Sequence, residues 1–289
     1  MDEQAAMTHT AVSRANRVVS WESHGTGPGL VVLHGAARAA HHYRPLAKAL
    51  SHRFTVHLVN RNGRGLSAPA TPEKGIAGQV DDVAAVFEAT RAAYLFGHSA
   101  GGMVALEAAR VVKAERMAVY DPGISIDGSF PSSLLNQLTR DLELDDLAAA
   151  QTHLAKAVGV LPAWLPDFAL RWLFGKILSG DGGAELRQLL PTLRDDLGLI
   201  EALAGPATRF DDIRMPTLVI WGSKSPAFLV QACKQLAAAL PQAQSLALAG
   251  QGHNAPDLTG TAAVARLLEQ VFMPPTAPAP PTTCSLSAN

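Results

Sequence analysis

Short apolar runs and longer alanine-rich segments alternate along most of this chain. The apolar runs, four to six residues each, are 30–33, 54–59, 93–96, 117–120, 217–221 and 245–248. Between them the apolar positions recur at helical spacing over 43–50, 78–91, 101–112, 226–240 and 258–272. A further strand is expected over 17–22, ended by the turn-rich His24-Gly25-Thr26-Gly27-Pro28-Gly29. Runs with no polar alternation belong to strands covered on both faces. The pattern therefore predicts an α/β fold, a mostly parallel doubly wound sheet between helical layers.

One stretch breaks the alternation. Residues 124–210 hold no convincing strand but carry helical patches at 142–158, 167–178 and 184–193, punctuated by Pro162, Pro166, Pro191 and a glycine-rich break at 180–183. The expected organisation is a core of 1–123 and 211–273, with 124–210 as a helical insertion that forms a lid over the strand ends. Residues 1–15 lack periodicity and are expected to trail in solvent. The proline-rich segment 274–289 is expected to be disordered.

Composition narrows the partners. Of 289 residues, 48% are hydrophobic and 17% charged, and 24 basic side chains stand against 25 acidic ones. With no basic excess to grip a phosphate backbone, nucleic acid is not expected as a partner. No apolar run is long enough for a membrane span, and Met1-Asp2-Glu3-Gln4 lacks a secretory core, so a cytoplasmic location is expected. Cys233 and Cys284 form no ligand or disulfide pattern.

The chemistry concentrates where the run 93–96 ends. Gly97-His98-Ser99-Ala100-Gly101-Gly102 places one hydroxyl between residues with almost no side chain, just before a helix. Such a G-x-S-x-G corner folds sharply and lifts the Ser99 hydroxyl clear of the sheet. The glycines are needed because strand and helix press together there. Three further motifs sit at strand ends: His34-Gly35 after 30–33, Asn60-Arg61-Asn62-Gly63-Arg64-Gly65-Leu66-Ser67 after 54–59, and Gly250-Gln251-Gly252-His253 after 245–248. Together these resemble the α/β-hydrolase superfamily, specifically its serine esterases and lipases with a helical cap.

That resemblance implies Ser99 as nucleophile and His253 as general base. It implies an oxyanion hole formed by the backbone N–H groups of Ala36 and Ala100, and a structural role for the loop 60–67. His34 and His98 flank the pocket by motif. The family often places its acid after the strand read here at 217–221, where this chain has Ser225 and no carboxylate follows until Asp257. Asp257 is better placed to cap the last helix. Asp121 ends the run 117–120, on the face where strand carboxyl ends present their ligands, and some members carry the acid there. Asp121 is accordingly the expected third member.

The insertion carries Trp164, Phe168 and Trp172, which are expected to line an apolar substrate pocket. The resulting expectation is hydrolysis of a largely apolar carboxylic ester, thioester or lactone through an acyl-enzyme on Ser99, with no metal or cofactor. A serine at the corner argues against an epoxide hydrolase or dehalogenase. Carbon–carbon bond hydrolysis, lyase or cyclase chemistry on the same scaffold, or a non-catalytic binding role, stays open at this point.

Overall fold

The computed structural model describes residues 7–70 and 74–273. Its core is one eight-stranded sheet. In chain order the strands are β1 (Met7–Val12), β2 (Val18–His24), β3 (Gly29–Leu33), β4 (Thr55–Asn60), β5 (Tyr94–His98), β6 (Arg116–Tyr120), β7 (Thr217–Gly222) and β8 (Ala243–Leu248). They lie in the order β1-β2-β4-β3-β5-β6-β7-β8. β1, β2 and β4 pair antiparallel, and the remaining neighbours pair parallel.

The helices are α1 (Arg44–Leu50), α2 (Gly75–Thr90), α3 (Ala100–Ala108), α4 (Ser132–Glu143), α5 (Leu147–Ala157), α6 (Asp167–Ser179), α7 (Ala184–Leu189), α8 (Leu193–Ala202), α9 (Ala227–Ala239) and α10 (Thr261–Phe272). Successive residues of the central strands feed opposite faces of the sheet, as the pleat requires. Leu30 and Val32 of β3 join one apolar cluster with Leu46, Leu50 and Leu268 from α1 and α10. Val31 and Leu33 join the other with Val86, Leu106 and Leu236 from α2, α3 and α9. Two covered faces explain the continuous apolar runs.

Residues 7–12 correct one expectation. They do not trail in solvent but form β1, paired to β2 from Met7 opposite Ser23 to Val12 opposite Val18. Met-Thr-His-Thr-Ala-Val alternates weakly and its burial is slight, as an edge strand permits. The expected tail, 274–289, lies outside the described residues.

Chain order changes direction at β3, which has β4 on one side and β5 on the other. Ligand sites in open parallel sheets form beyond the strand ends at such a switch point. The loops 34–39 and 99 leave the sheet there.

Helices α4 to α8 all fall between β6 and β7, so the insertion adds helices but no strand of the sheet among the described residues. It is anchored to the core by buried charge. Asp196 of α8 bonds Arg61 and also accepts from Arg64 at 3.2 Å, and all three side chains are almost fully enclosed. Burial pushes the Arg64 guanidinium down to about 10, against the pull of Asp196. Removing one partner strands the others in a medium that solvates them poorly. Asp196→Ala is therefore expected to lose roughly 3–5 kcal/mol of stability, read from urea unfolding against the unaltered chain.

Candidate active site

The backbone at Ser99 is forced into an unusual conformation, φ 54° and ψ −124°, between β5 and α3. The surrounding glycines make the corner possible by close approach. A Cβ on Gly101 would stand 2.3 Å from the Leu33 carbonyl oxygen, and one on Gly97 would stand 2.5 Å from that of Gly101. The strained turn is tied down by the Ser99 N–H bonded to the Tyr120 oxygen at 3.0 Å. Its own carbonyl accepts from Gly102 and Gly123, both at 2.8 Å.

Around this corner three side chains from distant parts of the chain meet. His253 Nε2 lies 3.1 Å from Ser99 Oγ, and His253 Nδ1 lies 3.1 Å from Asp121 Oδ2. Asp121 is fully buried at the end of β6, with φ 43°. Ser225, at the position where the family often has its acid, donates to the same Asp121 Oδ2 at 2.5 Å. A hydroxyl, an imidazole and a carboxylate in series can pass a proton from oxygen to ring nitrogen and hold the resulting cation. Ala36 and Ala100 line the cavity beside Ser99. The N–H of Gly35 is already committed to the Tyr43 hydroxyl at 3.0 Å, so the next one along that loop belongs to Ala36.

Comparisons with known proteins show the family. The profile of the Alpha/beta hydrolase family matches residues 30–267. This chain belongs to that family. Curated relatives bear the name pimeloyl-[acyl-carrier protein] methyl ester esterase. That of Stenotrophomonas maltophilia (strain K279a) is 31% identical over 238 residues, 79% of this chain and 87% of the relative. That of Xanthomonas campestris pv. campestris is 29% identical over 247 residues, 79% of this chain and 89% of the relative. Among solved structures, an alpha/beta hydrolase from Sphaerobacter thermophilus DSM 20745 superposes with a TM-score of 0.74. It is 28% identical, and the match covers 91% of this chain and all of that one. An esterase from Rhodococcus sp. ECU1013, 19% identical with a TM-score of 0.66 over 91% of this chain and 97% of that one, shares the fold.

In this hydrolase the space over Ser99 has two lobes that share Ala36, Ser99, Leu154, Val158 and His253. One, of about 480 Å³, is walled by Phe130, Leu134, Leu138, Leu197, Ile200 and Phe228. Phe130 and Phe228 meet edge to face across 5.1 Å. The other, of about 520 Å³, is the more polar of the two and includes Arg38, His98, Gln151, Asn254 and Asp257.

Several expected residues stand elsewhere. Trp164, Phe168 and Trp172 do not line either lobe; they are 79%, 78% and 67% exposed on the outer face of the insertion. Leu170 and Leu178 take the buried side of α6 instead. His34 is also outside the cavity. It is buried between the Gly35 carbonyl, to which Nδ1 donates at 2.8 Å, and the Arg61 N–H, which Nε2 accepts at 3.1 Å. Asp257 does not cap α10 but accepts from Arg38 Nε at 2.6 Å. Asn60 accepts from the Ala40 N–H at 3.1 Å, and its Nδ2 lies 2.4 Å from where a Cβ on Gly65 would stand. The wall of the apolar lobe comes instead from α4, α5 and α8, and from Phe228 and Leu229 of α9.

One group outside this cavity, His41, His42 and Glu185, brings three metal-ligating atoms within 4.8 Å of one another. His41 is paired with Glu185 at 2.5 Å, and His42 Nδ1 accepts from the Ala39 N–H at 3.2 Å. That bond leaves the His42 proton on Nε2, which lies 3.8 Å from Glu185 Oε1.

Three buried histidines give the hydrolase an acid-sensitive interior. Burial and the charge of His9 push His57 down to about 4. Burial, then the charge of His253, pushes His98 down to about 3. Burial and the nearby Arg64 and Arg61 hold His34 well below its ordinary value. Their folded values are depressed, so the unfolded chain binds protons first. Stability is thus complete above about 6.5 and falls as pH drops toward the folded values, by up to about 1.4 kcal/mol per pH unit per histidine. The midpoint of thermal unfolding is expected to drop on acidification from about pH 7 to about pH 5. His57→Gln should flatten that slope.

Proposed function

We propose that this hydrolase is a serine esterase in which Ser99 is the nucleophile, His253 the general base and acid, and Asp121 the carboxylate that orients His253. The observation that carries the reading is the unbroken series from Ser99 Oγ through the His253 ring to Asp121 Oδ2, with 3.1 Å at each step. In the proposed reaction Ser99 Oγ attacks the ester carbonyl carbon while its proton moves to His253 Nε2. The oxyanion is met by the N–H groups of Ala36 and Ala100; losing one such donor costs about 3–4 kcal/mol. As the carbon–oxygen bond to the alcohol breaks, His253 returns the proton to that oxygen. Water then gives a proton to His253 and its oxygen to the acyl carbon, releasing the acid and restoring the Ser99 hydroxyl.

The two lobes support an assignment of substrate ends. The more polar lobe adds Arg38, Asn254 and Asp257 to the shared His253, so it suits the alcohol that must receive a proton from the ring. The apolar lobe lies toward Ala100 and Gly123 and suits an extended acyl chain. On this reading the insertion, 124–210, acts as a cap whose α4, α5 and α8 shape the acyl site. The relatives' name specifies a pimeloyl-[acyl-carrier protein] methyl ester, and an apolar acyl site is compatible with it.

The test is an ester series from acetyl to palmitoyl, run with a fluorophosphonate probe. Turnover is expected to peak at medium acyl length, and the probe should label Ser99. Ser99→Ala should abolish both. Asp121→Asn should retain the fold and lose at least about a hundredfold in turnover, roughly 2.7 kcal/mol of transition-state stabilisation. Turnover undiminished in Ser99→Ala would end the proposal.

A further inference from the structure

The loop that carries His253 has Gly250 at φ 74° and Gly252 immediately before the histidine. Something must hold the ring within hydrogen-bond reach of two partners on different strands. The structure supplies two grips on consecutive carbonyls. His98 Nε2 lies 2.9 Å from the His253 carbonyl oxygen, and the Tyr120 hydroxyl lies 2.8 Å from that of Gly252. A carbonyl oxygen only accepts, so both side chains donate.

Their placement in the sheet is telling. His98 and Tyr120 are register partners across β5 and β6, with rings 5.8 Å apart. Each immediately precedes the residue that its strand presents to the site, Ser99 or Asp121. The distance from Ser99 to the His253 loop, and that from Asp121, are therefore each set by the neighbouring residue on the same strand.

The direction of the hydrogen bonds also fixes a tautomer. With its proton on Nε2, His98 must accept at Nδ1, and the Tyr43 hydroxyl lies 2.5 Å from that atom. The Tyr43 oxygen in turn accepts from the Gly35 N–H at 3.0 Å. Gly35 N–H, Tyr43, His98 and the His253 carbonyl thus form a one-way chain of buried bonds, joining the loop of Ala36 to the loop of His253. His98, held near 3 by burial and the charge of His253, stays neutral in neutral solution, and burial raises the Tyr43 hydroxyl well above its ordinary value.

We propose that His98 and Tyr120 are positioning residues that set the His253 ring between Ser99 and Asp121, with Tyr43 holding His98 in the donating tautomer. This rests on the reading of Ser99, His253 and Asp121 as the reacting series and adds what keeps that series in register. Misplacing a reacting group by 1 Å costs on the order of a hundredfold in rate.

The test compares His98→Leu, His98→Gln, Tyr120→Phe and Tyr43→Phe. Its readouts are kcat and KM on the best ester, the rate of fluorophosphonate labelling, and the downfield proton resonance of His253 Nδ1–H. His98→Leu is expected to lower kcat by about tenfold or more, with KM nearly constant, labelling slowed in step and the resonance shifted or broadened. His98→Gln keeps an N–H for the His253 carbonyl and should recover most of the loss. Tyr120→Phe and Tyr43→Phe each remove one oxygen and should show smaller losses of the same kind. They carry the test if His98→Leu does not fold. Wild-type kcat and an unmoved resonance in the variants that fold would overturn the proposal. So would equal impairment of the Leu and Gln variants with that resonance unmoved, because the ring would then merely fill space. If Ser99→Ala abolishes turnover while His98→Leu and both Tyr variants leave it intact, the positioning role alone fails. If Ser99→Ala retains turnover, the underlying reading fails with it.

Discussion

Backbone touches backbone where β3, β5 and α3 converge, and the rest of the site depends on that contact. The carbonyl oxygens of Leu33 and His34 occupy the space where a side chain on residue 101 would begin, at 2.3 and 2.5 Å. Only a chain without Cβ atoms at these points lets α3 start immediately beyond Ser99. The helix then directs its positive end toward the space beside Ser99. The same proximity brings the loop of Ala36 to the cavity, with Gly35 standing next to Ser99.

Sheet order distributes the remaining parts. Ser99, Asp121 and Ser225 follow three adjacent parallel strands, β5, β6 and β7, and the His253 loop follows β8 at the sheet edge. Parallel neighbours end on the same side, so these strands deliver their side chains to one rim without long-range loops. The insertion leaves from that rim between β6 and β7. Asp196 joins it to Arg61, and Arg61 in turn bonds the His34 carbonyl at 3.2 Å and Gln79 at 2.9 Å. The wall of the apolar lobe and the loop preceding Ala36 therefore share one buried ionic anchor.

How much of this was legible in the sequence follows from what each element must satisfy locally. Central strands are covered on both faces and so are written as unbroken apolar runs; β1, lightly buried at an edge, left no such mark. The expected patch at 142–158 is split because Asp145 takes φ 54° and Asp146 caps α5, accepting from the Ala149 N–H at 2.9 Å. Ser99, Asp121 and His253 were each nameable from a strand-end signature, and the structure brings them together. Tyr43 and Tyr120 were not, because a hydroxyl bonded to a residue far along the chain leaves no spacing to read. The three aromatics of the insertion misled because their number says nothing of which side a helix turns inward; on α6 that side belongs to Leu170 and Leu178.

The Ser225 hydroxyl donates to the same carboxylate oxygen that faces His253. Two neighbouring strand tips thus meet at one carboxylate oxygen, the β7 tip supplying a hydroxyl and the β6 tip the carboxylate that faces the ring. The imidazole needs the charge nearby, not from a particular strand. The β7 tip accordingly serves here by steadying the Asp121 carboxylate with a hydroxyl, so the ends of β6, β7 and β8 share one run of contacts.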